Sequence, residues 1–189
     1  MRDTRLSILA KNLVHYSIRL KPGEKVLIDM IGSERELVKC IVEEVLAAGG
    51  LAYVELNDRS VLRSILMGTN EAHMKQWADM DLNRMKQMDA YIAVRAGGNA
   101  MELSDVPNAK MKLYDTIYRK PVHLEQRVKH TKWVVLRYPN DSMAQLANMS
   151  TEAFEDFYFN VCNLDYSKMS KAMNPLAALM NRTNKVRIV

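Results

Sequence analysis

Apolar positions along this chain follow two periods that alternate. Leu6, Leu9, Leu13, Tyr16 and Leu20 share one side of a helix over residues 4–20. Lys21-Pro22-Gly23-Glu24 places Pro second and Gly third, as a type II turn requires. Lys25–Asp29 then reads as a strand, and Leu37, Val38, Ile41, Val42, Val45 and Leu46 as the buried stripe of a helix. Ser33 with Glu36 fits a capping box at the start of that helix, and Gly49-Gly50 fits a left-handed cap at its end. Leu51–Leu56 is a second strand. Strand, helix and strand in so few residues make a βαβ unit with parallel strands. Helices follow over Arg59–Met67 and Glu71–Met88, and a third strand over Ala90–Val94. Arg95–Ser104 reads as a loop, and residues 107–118 and 122–129 as helical.

The stretch from Lys132 to Phe159 is the most informative. Trp133–Leu136 is a short apolar run, of the kind a parallel sheet buries on both faces. Pro139 ends it, and Asn140 or Asp141 can cap the helix carrying Met143, Leu146 and Ala147. Ser150 or Thr151 caps the next one. Tyr166–Arg182 continues helical with Met169, Ala172, Met173, Leu176, Leu179 and Met180, and Asn174-Pro175 marks either a kink or a division into two helices. Lys185–Val189 alternates charged and apolar like a half-exposed strand that stops in mid-course, so the chain reads as cut from a longer one. The order predicts a single α/β domain over residues 1–189: a doubly wound, mainly parallel sheet of four or more strands with helices on both faces.

Composition narrows this picture. With 189 residues, 48% hydrophobic and 26% charged, the chain is of ordinary globular type. No apolar run approaches the ~20 residues that span a bilayer. The basic N-terminal segment resembles a transit peptide in charge, but its apolar face is what core packing requires. Cys40 and Cys162 lie in apolar-periodic segments and are expected as buried thiols, which suits a reducing cytoplasm. The net charge of +5 is concentrated in residues 110–137, where Lys110, Lys112, Arg119, Lys120, Arg127, Lys129, Lys132 and Arg137 face only Asp115 and Glu125. Such a segment can attract phosphates or an acidic partner, although a solvated helical face explains it more simply and no nucleic-acid-binding motif accompanies it.

Candidate chemistry is sparse. Gly97-Gly98 follows a strand, yet RAGGN is neither a dinucleotide fingerprint nor a phosphate loop. Gly32-Ser33 at a helix start has the form of an anion site, although one glycine and an ordinary cap explain it more simply. His15, His73, His123 and His130 form no HExxH or HxH pattern and read as surface or capping groups. Glu152, Glu155 and Asp156 read as a solvated helix face. The residues alone give an α/β domain without a visible catalytic set.

WVVLRYPNDSMAQLANMSTEAFEDFYF resembles the N-terminal half of the thermophilic-type metalloaminopeptidases, the family of aminopeptidase T, aminopeptidase S and PepS. LAKNLVHYSIRLKPGEKVLI, the AAGG-ending helix, MDAYIAVRAGGNAMELSDV and KVRIV agree with it in order and spacing, so the resemblance spans essentially the whole chain. It implies removal of N-terminal amino acids from peptides by two divalent ions of the zinc or cobalt type, held by Glu, His and Asp residues of a C-terminal half. No residue here inherits a catalytic or metal-ligating role, and the chain is expected to be inactive alone. Its implied partners are peptide substrates, its own C-terminal domain and a second copy in a homodimer, with no membrane and no nucleic acid. Arg95, Asn99 and Tyr138, at strand ends, are the expected cleft-lining residues. The rival readings are a non-catalytic binding module using the basic 110–137 segment, and a small-molecule protein using the Gly97-Gly98 loop.

Overall fold

A computed structural model describes residues 3–188. Four parallel strands, β1 (Lys25–Gly32), β2 (Leu51–Asn57), β3 (Ala90–Ala96) and β4 (Lys132–Arg137), lie in the order β2-β1-β3-β4. The fold is therefore the expected doubly wound α/β sheet. Register pairs Ile28 with Val54 on one side and Ile92 on the other, and Ile92 with Val134. Because side chains alternate across a strand, Val26, Ile28 and Met30 of β1 face one layer, and Leu27 and Asp29 the other.

The first layer holds α1 (Thr4–Lys11), α2 (Arg35–Ala47) and α8 (Thr151–Cys162), whose Leu9, Ile41 and Phe159 close one core. Arg5 ties α1 to α8 through Asp156 at 2.7 Å and Glu155 at 3.6 Å, so part of the acidic helix face is paired. After Lys11 the helix widens into π-helical turns over Asn12–Ser17. That widening turns the stripe, so Leu13, Val14 and Ile18 are buried while Tyr16 stacks on Tyr166 at 5.3 Å. The turn before β1 forms as read, with Gly23 at φ 82° and the Glu24 N–H donating to the Lys21 carbonyl at 3.2 Å. Helix α2 begins at Arg35, and Glu34 rather than Ser33 occupies its cap position without a side-chain bond. Its other end is the expected glycine cap: Gly49 has φ 77°, and the Gly49 and Gly50 amides donate to Leu46 and Val45.

The second layer holds α3 (Arg59–Gly68), α4 (Glu71–Lys86) and one helical run over residues 108–130. That run is α5 (Asn108–Leu113), a π-helix (Tyr114–Arg127) and α6 (Val128–His130), where the sequence pattern suggested a break near Pro121. Pro121 cannot donate and its ring would strike the carbonyl four residues back in an α-helix; the wider turn gives it room. Strand β4 is an edge, so only one of its faces is half-buried while Trp133 and Val135 are each 43% exposed. The expected burial on both faces is thus corrected. Asn140 and Ser150 are the residues that cap α7 (Asp141–Leu146) and α8. Tyr166–Arg182 is a single helix, α9, that runs through Pro175 and buries none of its residues. Residues 185–188 form no strand, contrary to the alternating pattern, and Val189 lies outside the described residues. Among the described residues no helix is long and apolar enough to cross a membrane.

Candidate functional site

From β1 the chain leaves over the first layer to β2, then returns over the second layer to β3. Strand order therefore reverses between β1 and β3, and their carboxyl ends are where an open α/β sheet leaves a crevice. Gly32 sits at that point with φ 118°, and a Cβ there would come 2.5 Å from the Ala96 carbonyl oxygen. Only glycine lets the two strand ends approach so closely. A shallow cleft of about 430 Å³ opens above them, lined by Gly32, Ser33, Arg35, Asp58, Arg59 and the Gly97–Asn99 loop.

Beneath it, between the sheet and the second layer, lies a deeper cavity of about 360 Å³. Its floor is a buried polar network on β1, β2 and β3. Asp29, 7% exposed, accepts from Asn57 Nδ2 at 2.8 Å, Tyr91 Oη at 2.5 Å and an Arg95 guanidinium nitrogen at 2.8 Å. The same nitrogen of Arg95 donates to Tyr91 Oη at 3.0 Å, and its other terminal nitrogen to the Asp29 carbonyl at 3.2 Å. Burial raises the Asp29 carboxyl, and the Arg95 charge with the three side-chain hydrogen bonds outweighs it, leaving the group below its ordinary value. Burial also lifts the Tyr91 phenol far above its usual range.

A second network closes the wall. Arg84 pairs with Glu55 and with Asp81 at 2.9 Å, and Tyr118 donates to Asp81 at 2.5 Å. Burial raises the Glu55 carboxyl despite Arg84. The π-helix supplies aromatic surface: Tyr118 lies 4.6 Å from Trp77 and 5.2 Å from Tyr114 between ring centroids. It also turns His123 into the cavity, where burial and then the Arg127 charge lower its pKa to about 4. His123 is therefore a neutral lining group and not the surface or capping histidine its spacing suggested. Nothing in its local sequence marks this; the widened helix sets its direction.

The three expected cleft residues do not converge. Arg95 belongs to β3 rather than to a loop, and lines the deeper cavity. Asn99 is exposed in the shallow cleft, bonded to Glu102 at 2.9 Å. Tyr138 packs against the first-layer core, 6.4 Å from Phe159 between centroids, with its phenol pushed up to about 12 by burial. Much of the basic 110–137 segment is engaged. Lys110 donates to the Thr69 carbonyl, Arg119 pairs with Asp115 at 2.6 Å, and Lys132 with Glu24 at 2.5 Å. Arg127 lies 5.0 Å from the centroid of Tyr91 and 4.8 Å from that of Trp133. Both cysteines are free thiols; Cys40 is buried as expected, whereas Cys162 is only half-buried.

A sequence profile of the thermophilic metalloprotease family (M29) matches residues 2–186. The chain belongs to that family. No curated protein sequence matches it at a significant level. Among solved structures, wild-type AmpT from Thermus thermophilus superposes with a TM-score of 0.65 at 16% identity, over 85% of this chain and 43% of that one. At that identity the likeness shows a shared fold, and this chain spans less than half of AmpT. An alcohol dehydrogenase superfamily protein from Novosphingobium aromaticivorans has a TM-score of 0.34 at 13% identity, over 96% of this chain and 58% of its own, a likeness too slight to bear on function.

Metal ions are implied for a thermophilic metalloprotease, and holding one takes several His, Cys, Asp or Glu side chains brought close together. Among the described residues no three His, Cys, Asp or Glu side chains form a group that could hold one. The acids of the cavity are committed elsewhere: Asp29 to Arg95, and Glu55 and Asp81 to Arg84. The described residues therefore do not fit a metal centre, and no catalytic step follows from them.

Proposed function

We propose that this chain is the N-terminal, non-metal half of a metal-dependent aminopeptidase that removes N-terminal amino acids from peptides, and that it is inactive without a C-terminal half carrying the ligands for two divalent ions. The supporting observation is a family match over residues 2–186 in a chain whose described residues offer no group of metal donors. That the chain spans 43% of AmpT accords with this. In this reading the carboxyl-end cleft faces the catalytic half, and Arg95 and Asn99 form part of the substrate-side wall. The free thiols suit a reducing cytoplasm. A homodimer would be made by the assembled protein.

The test is hydrolysis of leucine p-nitroanilide with cobalt or zinc added and then removed by chelation. Residues 1–189 alone are expected to give no metal-dependent turnover, and fusion to the remaining half of a family member is expected to give it. Chelator-sensitive turnover by the isolated chain would overturn the division of labour.

A further inference from the structure

Beside the crevice, where β3 and β4 end, three arginines meet around one small notch. Arg59, Arg95 and Arg137 line a space of about 80 Å³ together with Gly97, Asn140 and Ser142, and no carboxylate lines it. Each arginine arrives from a different element: Arg59 opens α3, Arg95 is on β3, and Arg137 ends β4. Arg95 is countered by Asp29 on its cavity side, at 2.8 Å. Among the described residues no acid lies within ion-pair distance of Arg59 or Arg137, in contrast to Arg119 and Arg84. The Arg59 side chain is laid across Gly97: a Cβ at that glycine would stand 3.4 Å from its Cδ and 3.5 Å from its Nε. Asn140 holds the same loop from the other side, donating to the Gly97 carbonyl at 3.1 Å.

Several guanidiniums around one small space repel one another unless something negative sits among them. Their planar forks suit a carboxylate or phosphate, and the space admits a group of that size and little more. The adjoining cleft, which Arg59 also lines, leaves room for the rest of a ligand. We propose that this notch is an anion-binding site that takes the single carboxylate or phosphate group of a small ligand, clamped by Arg59 and Arg137 with Arg95 behind them.

The readout is equilibrium binding, so its outcome is separate from that of the turnover assay above. Calorimetric titration at fixed ionic strength would use three probes: a tripeptide with a free carboxyl terminus, the same tripeptide as its C-terminal amide, and inorganic phosphate. Saturable binding of the acid but not the amide identifies a peptide carboxylate; binding of phosphate identifies a phosphate group. Arg59→Gln and Arg137→Gln are each expected to weaken the bound probe roughly tenfold or more, and Arg119→Gln to leave it unchanged. Circular dichroism would check that each variant is folded. Absence of saturable binding by both acid and phosphate up to about 20 mM, weaker than any useful charge-assisted clamp, would overturn the proposal. So would equal affinity in the wild type and both notch variants, or equal weakening in Arg119→Gln, which would mark diffuse charge attraction.

Discussion

Replacing Arg95 by Met would leave the Asp29 carboxylate buried beside the cavity with its positive partner gone. The side chains of the pair are 23% and 10% exposed, so solvent does little to compensate. Breaking a buried pair in this way typically costs about 3–5 kcal/mol. Asp29 would keep the hydrogen bonds from Tyr91 and Asn57, which places the loss near the lower end, at about 3 kcal/mol. In a chain of this length that corresponds to a fall in Tm of roughly 6–12 °C. The pH dependence is the sharper test. In the wild type the Asp29 pKa is lowered, so its contribution to stability is present above the unfolded value of ~3.9 and is lost as pH falls through the folded value. Without Arg95, burial would dominate and raise the pKa. The penalty would then be full well above the raised folded value and shrink as pH falls through that value towards the unfolded ~3.9, so it is large at pH 7 and small at pH 4. Urea unfolding followed by circular dichroism at both pH values measures this, with Asp29→Asn/Arg95→Met as the partner variant that removes the orphaned charge. A loss below about 1 kcal/mol at pH 7, or a double variant no more stable than Arg95→Met, would refute the account.

Gly32→Ala is expected to destabilise by at least ~2 kcal/mol in the same assay, since it combines a positive φ with a Cβ against the Ala96 carbonyl. Gly68→Ala, on α3 with open space around its Cβ, is expected to be neutral or to stabilise by up to ~1 kcal/mol. His123 should titrate near 4 by NMR. Because its folded pKa lies below the unfolded 6.5, the unfolded chain binds more protons between those values, and stability should fall by roughly 2–3 kcal/mol as pH drops from 6.5 to 4. His123→Gln should flatten that slope, and an unchanged slope would place the titrating group elsewhere.

The pattern of apolar residues was enough to place β1, β2 and β3 and the helices between them, because each element states its own period. What it could not state is position within the sheet. Trp133–Leu136 looks like a central strand, and its place at the edge is decided by β1 and β3 filling the middle. The helix over residues 108–130 hid for a similar reason: Pro121 normally stops an α-helix, and the π-helical turn that admits it has no apolar period of its own. At the site, Arg95 is marked in the sequence as the residue after the apolar run Ala90–Val94. Its partner Asp29 interrupts the apolar run Val26–Ile31, and an acid inside a buried strand is the local signal that points to it. Arg59 and Arg137 meet only because α3 begins and β4 ends on the same rim, which is a property of the strand order.

That strand order also bears on how the chain acquires its shape. Lys25 finds Leu51 across a short βαβ segment, whereas Val26 must find Ala90 with β2, α3 and α4 already between them. Closing the longer loop costs more chain entropy before any contact repays it. The first βαβ unit is thus expected to assemble early, and the seam between β1 and β3 late. Asp29 and Arg95, 66 residues apart, bridge that seam. The ion pair that floors the cavity would therefore be among the last contacts to form, and Arg95→Met should speed unfolding more than it slows refolding in stopped-flow measurements.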